Sequence, residues 1–292
     1  MGLNVSCKNQ IPGVLLIISD RVLGFLILIG MEQFAVQRSR FILREEKVEI
    51  MIKLIITDNY DEMSKQAFLA MKEVFIENEH PVLGLATGST PVGLYKEMIQ
   101  FGKDGYSYKN CTTFNLDEYI GLDKNHEQTY WTFMHENLLD HIDVPAENIH
   151  IPEGDTEDPE KACKDYEKSM EKYDVDIQLL GLGANGHIGF NEPGTAIDSL
   201  THVVTLTEKT RKDNARFFDN LDQVPKQAVT MGIGTIMRAK KILVVANGEN
   251  KADAVYRLLR GDVTTEYPCS ALREHKDLTI VVDKAAASKL FK

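Results

Sequence analysis

The stretch LGLGANGHIGFNEPGT (180–195) holds the densest set of side chains able to do chemistry. Closely spaced glycines surround Asn185, His187, Asn191 and Glu192. Backbone of this kind bends tightly and can gather such side chains at one point. An imidazole titrates near neutrality and suits proton transfer, and a carboxylate five residues on can orient it and stabilise its charged form. A lone histidine is more often structural; His187 with Glu192 in a loop of this composition reads as an acid/base pair. HxxxxE is not a standard metal-ligand spacing, so no metal is expected there.

Three further places could serve the same chemistry. In TGSTP (87–91), Thr87, Gly88, Ser89 and Thr90 precede a proline suited to a first helical position. Free amides at a helix start, with hydroxyls beside them, form a phosphate cradle; the plainer reading is a hydroxyl helix cap after a strand. The string fits neither a Walker loop nor, with GLGANG, the dinucleotide fingerprint. In TFNLDEYIGL (113–122), Asp117 and Glu118 end an apolar run. Partial burial there lifts a carboxylate toward a range useful for a base, the plainer reading being a solvated turn. Lys251 opens a helix in NGENK, against the macrodipole, which points to an anion partner. Arg211 and Arg216 lie in a polar helical stretch (207–220), where solvated surface charge is the default.

Strands must hold these segments. The runs 54–57, 82–87, 111–116, 175–183, 241–248 and 278–282 are short, and most are rich in Val, Ile and Leu, as buried parallel strands are. Helical periods fill 63–78, 128–142, 160–173 and 250–261. The alternation predicts a doubly wound α/β fold, a mostly parallel sheet with helices on both faces. Each candidate segment follows a strand, and ligands of such sheets sit beyond the strands' carboxyl ends.

The chain has 292 residues and a formal net charge of -11, which argues against a nucleic-acid surface. Its four cysteines form no CxxC or zinc pattern, consistent with reduced thiols in the cytoplasm. Residues 51–292 contain no long linker and no repeat, so one catalytic domain is expected there. Residues 1–50 are expected to be an extension outside the fold, and Met51 is favoured as the natural start. The apolar run 14–30 is broken by Asp20 and Arg21, so neither a membrane span nor a signal peptide fits.

In order along the chain, GLATGSTPVGLY, TFNLDEYIGL, LLGLGANGHIGFNEPGT and ARFFDNLDQVPKQAVTMGIGTI resemble the successive motifs of the glucosamine-6-phosphate deaminases, from Met51 to the end. The resemblance implies a modified Rossmann-like fold and the conversion of glucosamine 6-phosphate and water to fructose 6-phosphate and ammonia. It implies no cofactor and no metal. Asp117 matches the proton acceptor that moves a proton from C2 to C1. His187 matches the acid/base that opens the sugar ring, and Glu192 its carboxylate partner. Thr87, Gly88, Ser89 and Thr90 match the phosphate loop, completed by Arg216 and Lys251, with Arg216 on a mobile lid within 201–230. Asn185 stands where many relatives carry Asp, which leaves Glu192 alone to supply negative charge. His202 and Val204 stand where hexameric relatives carry Arg and Lys for N-acetylglucosamine 6-phosphate, so that activator is expected to have no effect. The implied partner is a small sugar phosphate, with no nucleic acid and no membrane; monomer and homo-oligomer both remain open. Two alternatives stand beside it: a 6-phosphogluconolactonase-like hydrolase, disfavoured by NLDEY and FNEP, and a non-enzymatic sugar-phosphate sensor, which needs a DNA-binding module.

Overall fold

A computed structural model describes residues 14–18, 51–215, 218 and 220–291. Its centre is an eight-stranded, wholly parallel sheet. In chain order the strands are β1 (Val14–Ile18), β2 (Met51–Thr57), β3 (Val82–Leu85), β4 (Thr112–Asn115), β6 (Ile149–His150), β7 (Ile177–Gly181), β10 (Lys241–Ala246) and β11 (Asp277–Asp283), the numbers omitted here being those of a second sheet, β5 (Asp117–Tyr119), β8 (His202–Thr205) and β9 (Gln227–Thr230). The spatial order is β1-β2-β11-β10-β7-β3-β4-β6. The predicted strands all form, and their apolar runs are buried through the middle of the sheet: Ile242 to Ala246 and Leu278 to Val282 include no exposed side chain.

Seven helices connect the strands among the described residues: α1 (Tyr60–Glu77), α2 (Val92–Lys103), α3 (Tyr130–Asn137), α4 (Pro159–Met170), α5 (Glu208–Asn214), α6 (Ile233–Ile236) and α7 (Ala252–Leu259). Local chemistry fixes their starts. Asn59, Thr129, Asp158 and Thr207 each accept a backbone N–H of the first turn, at α1, α3, α4 and α5. Right-handed crossovers put α1, α2 and α3 on one face and α4 and α7 on the other, and α1 packs on α2 as α2 does on α3. No helix among the described residues is long and apolar enough to cross a membrane.

From β3 the chain moves outward through β4 to β6. It then returns to the opposite side of β3 as β7 and runs the other way through β10 to β11. The junction of β3 and β7 is therefore the topological switch point, where a crevice opens beyond the carboxyl ends. The segments after β3, β4, β7 and β10 are the four singled out from sequence.

One strand differs from its expected form. The run 111–116 does not carry Asp117 and Glu118 on its tip. Leu116 N donates to Leu85 O, closing the parallel ladder, and Met231 N donates to Leu116 O. That second bond hands the chain to the small antiparallel sheet β5-β9-β8, in which Asp117 pairs with Thr230 and Glu118 with Val229. Of the first fifty residues, the structure describes Val14–Ile18, an edge strand parallel to β2; the remainder of the expected extension lies outside the described residues.

Candidate active site

The loop after β7 is shaped by its glycines. A Cβ on Gly183 would lie 2.4 Å from the His187 ring, so only hydrogen at this position lets the imidazole fold back onto the loop. Gly183 N donates to His187 O and Gly186 N to Gly183 O, closing the turn, and Gly186 sits at φ 86, where a side chain would be strained. Buried Asn191 fixes the far end, its Nδ2 donating to Ile188 O (2.9 Å) and Met231 O (2.8 Å).

This brings Glu192 beside His187, with Nδ1 3.6 Å from Oε2, an ion-pair distance just beyond a hydrogen bond. Asn185 Nδ2 donates to the same Oε2 at 2.7 Å, and Thr210 Oγ1 donates to Oε1 at 2.9 Å. Burial alone would raise the Glu192 carboxyl, but His187, Asn185 and Thr210 together hold it down at about 2. The pair is thus a stable carboxylate facing an imidazole. Asn185 contributes a donor and no charge, as expected from its type.

Asp117 experiences the opposite environment. It is 6% exposed, and no side-chain hydrogen bond from the described residues reaches its carboxylate. Burial, and then the charge of Glu118, push it from an ordinary 3.8 to about 8. Gly189, two residues beyond His187, comes close: a Cβ there would be 3.4 Å from Asp117 Oδ2. The glycine loop thus packs directly on the buried acid. Glu118 points elsewhere. It accepts the backbone N–H groups of Tyr119 (2.8 Å), Tyr130 (2.9 Å) and Trp131 (2.8 Å), which ties β5 to the start of α3. Burial still lifts it to about 7. A cavity of about 280 Å³ opens beside it, lined in part by Trp131 and Lys124, whose Nζ lies 3.5 Å from the indole ring centre.

Thr87 to Thr90 form the turn into α2. The helix has no acidic residue in its first turn and no side-chain cap; Pro91 is itself the N-cap. The plainer reading of a hydroxyl cap with proline at the first helical position therefore fails: Thr90 Oγ1 donates instead to Asn247 Oδ1 at 3.0 Å, joining the loops after β3 and β10. The turn is braced from α1. Tyr60 Oη accepts from Gly93 N (2.8 Å), while its own proton is shared between Ser89 O (3.0 Å) and Thr90 O (3.1 Å). Gly88 adopts φ 100 with open space around its Cβ position. Lys251 closes a short 3-10 turn (Glu249–Lys251) just before α7, after Gly248 N is held by Asp283. It shares this edge of the sheet with Thr90 by way of Asn247.

Asp117, Asn185, His187, Glu192, the 87–90 turn and Lys251 thus lie at one edge. Arg216 lies outside the described residues. Arg211 is placed by structure rather than function: its guanidinium donates to Leu221 O and Val224 O and pins α5 to the following turn. Sequence reading missed Thr210, Tyr60 and Asn247. Thr210 had a signal, since TxxT at a helix start (207–210) sets a capping threonine beside a second hydroxyl; Tyr60 and Asn247 are brought in by tertiary packing and had none.

Residues 58–281 match the family described as Glucosamine-6-phosphate isomerases/6-phosphogluconolactonase. The chain is 52% identical over 239 residues to a glucosamine-6-phosphate deaminase of Thermoanaerobacter sp. (strain X514), covering 81% of this chain and 94% of that one. It is 47% identical over 240 residues to a glucosamine-6-phosphate deaminase of Mycoplasma mycoides subsp. mycoides, covering 82% and 98%. Among solved structures, a monomeric glucosamine-6-phosphate deaminase superposes with a TM-score of 0.79 at 45% identity, over 81% of this chain and 99% of that one. A 6-phosphogluconolactonase from Trypanosoma brucei shares the fold at 19% identity, TM-score 0.69, over 82% and 99%.

Proposed function

The chain belongs to the glucosamine-6-phosphate isomerase/6-phosphogluconolactonase family, and from that premise we infer an enzyme of amino-sugar catabolism that converts glucosamine 6-phosphate and water to fructose 6-phosphate and ammonia. The relatives that carry the inference are deaminases close to 50% identical over most of the chain; the lactonase is similar in fold alone.

The residue roles are those the resemblance implies, and charge and burial support them. The carbonyl at C1 is exposed only when the ring opens, and His187 moves the proton for that step, with Glu192 stabilising its charged form. Asp117 then takes the C2 proton, leaving an enolamine, and returns it to C1. The resulting imine at C2 is hydrolysed to the ketone, releasing ammonia. A single carboxyl that accepts and then delivers one proton gains from a value lifted toward neutrality, and this observation supports Asp117 most directly. The amides of the 87–90 turn, with Lys251 and Arg216, take the phosphate dianion. The chemistry calls for no metal or organic cofactor.

This reading makes the chain a hydrolase of a C–N bond, acting in the cytoplasm on a free sugar phosphate, with residues 51–292 as the catalytic domain. N-acetylglucosamine 6-phosphate is expected to leave its saturation curve unchanged, because His202 and Val204 offer no guanidinium or ammonium. The deciding experiment is coupled ammonia release from glucosamine 6-phosphate. Ammonia formed in step with fructose 6-phosphate supports the reading; hydrolysis of 6-phosphogluconolactone with no ammonia release overturns it.

A further inference from the structure

Glu192 is held from two sides by different parts of the chain. Oε2 belongs to the glycine loop: Asn185 Nδ2 donates to it, and the imidazole of His187 faces it. Oε1 belongs to α5, through Thr210. Donor bookkeeping fixes the directions. An ionised carboxylate accepts only, so the single hydroxyl proton of Thr210 points at Oε1. Thr207 Oγ1 lies 2.9 Å from Thr210 Oγ1, and with the Thr210 proton spent, Thr207 must donate. Thr207 in turn accepts the backbone N–H of Thr210 at 3.1 Å. The result is a directed chain from the first turn of α5, through two hydroxyls, to one oxygen of Glu192. Each link polarises the next.

The lower end of α5 is equally fixed. Arg211, the next residue, donates to Leu221 O and Val224 O, so α5 and the following turn move as one piece. Phe218, between them, packs against Tyr119, the neighbour of Glu118 on β5. The helix is thus clamped over the glycine loop, and Thr210 is its polar contact with the Glu192 carboxylate.

Two circumstances make this contact matter. Asn185 brings no charge, so the orientation of one carboxylate decides what the imidazole faces. The gap of 3.6 Å leaves His187 Nδ1 buried without a hydrogen-bond partner among the described residues, so a small rotation of Glu192 makes or loses that bond. We propose that Thr210 is a positioning residue: its hydroxyl sets the rotation of Glu192 against His187 and so couples the seating of α5 to ring opening. The inference rests on the acid/base reading of the His187–Glu192 pair.

A double-mutant cycle tests it. Thr210→Val keeps shape and removes the hydroxyl; loss of a hydrogen bond to a charged group should lower kcat about tenfold. KM should stay within about twofold, because no substrate contact is removed. Thr210→Ser should restore kcat. In a Glu192→Gln background, Thr210→Val should cost nothing further, since the hydroxyl acts through that carboxylate. Thermal melting of each variant accompanies the kinetics; if Thr210→Val melts well below the parent, Thr210→Ala, a strong helix former, takes its place in the cycle. An equal kcat loss in both backgrounds, a failed rescue by serine, or a loss confined to KM overturns the proposal. The premise is separable: if Glu192→Gln alone keeps full turnover, the acid/base reading fails; if Glu192→Gln loses turnover and Thr210→Val does not, the coupling alone fails.

Discussion

Asp117 and Glu192 are carboxylates that both follow strands of the parallel sheet, beyond their carboxyl ends, and folding drives them in opposite directions. Asp117 sits on a short strand of the small antiparallel sheet, buried, with Glu118 as its charged neighbour, and rises to about 8. Glu192 sits on an open glycine loop among donors and falls to about 2. Two acids of nearly equal intrinsic strength thus become one group able to exchange a proton near neutrality and one fixed anion. Environments that push titratable groups apart in this way assign their tasks. The supporting structure matches: a paired strand holds Asp117 away from solvent, and Asn185, His187 and, from α5, Thr210 surround the Glu192 carboxylate.

The sharpest way to break the contrast is to remove each charge in turn. Asp117→Asn, which cannot carry a proton from carbon to carbon, should lower kcat by about 10²–10⁴-fold with phosphate binding preserved. Near-normal turnover in the folded variant would transfer the proton-carrier role elsewhere. Glu192→Gln leaves the imidazole in place without its anion, and its loss of kcat should be smaller, near the low end of that range at about 10²-fold. An effect larger than that of Asp117→Asn would reverse the ranking proposed for the two sites.

Titration sharpens the contrast further. In the free enzyme the Asp117 base must be ionised, so kcat/KM should rise with pH up to about 8. Stability should respond with opposite signs. The folded state holds the Asp117 proton that the unfolded chain gives up from 3.8 upward, so this group's contribution is full below 3.8 and is lost as pH climbs through about 8. Melting curves of Asp117→Asn should therefore match the parent in acid and exceed it increasingly toward pH 8. For Glu192, lowered from 4.5 to about 2, the contribution is present above 4.5 and is lost as pH falls through about 2. Its variant should be the less stable one near neutrality, by a smaller margin that closes in acid. Parallel pH profiles for the two variants would remove the distinction between the sites.

The smallest expected effect lies at the turn 87–90. Gly88 at φ 100 has room for a methyl group but not the conformation for one, so Gly88→Ala should cost about 1–2 kcal/mol of stability, read from denaturant unfolding. Unchanged stability would mean that the turn relaxes without strain.

Most of this arrangement was legible in the sequence. The parallel strands announce themselves as short apolar runs, because both faces are buried. His187 and Glu192 stood out because glycines crowd around them, and Gly183 shows the reason in steric terms. The small sheet was not legible. β8 and β9 are four residues each and half polar at their ends, and they exist because Asp117 and Thr230 need partners once the main ladder has closed at Leu116. Asp117 was therefore expected at the end of the run 111–116 and instead lies just beyond it, on β5 of the second sheet. Thr210 escaped because its value arises from contact with a residue eighteen positions away. The TxxT pattern marks the helix start but not the pairing with Glu192, and Tyr60 and Asn247 at the turn 87–90 had no sequence signal at all.

The start of α3 has one more consequence. The chain contains a single tryptophan, Trp131, whose amide donates to Glu118 and whose ring lies beneath the Lys124 ammonium. Excited at the red edge of the aromatic absorption band, the protein has one indole fluorophore, placed by its own backbone against the residue next to the buried acid. Its emission maximum reports the local electric field, to which the Lys124 ammonium over the ring and the His135 ring beside it contribute. Occupancy and ionisation along this strand can thus be followed by light from the unlabelled chain, with no second indole to obscure the signal.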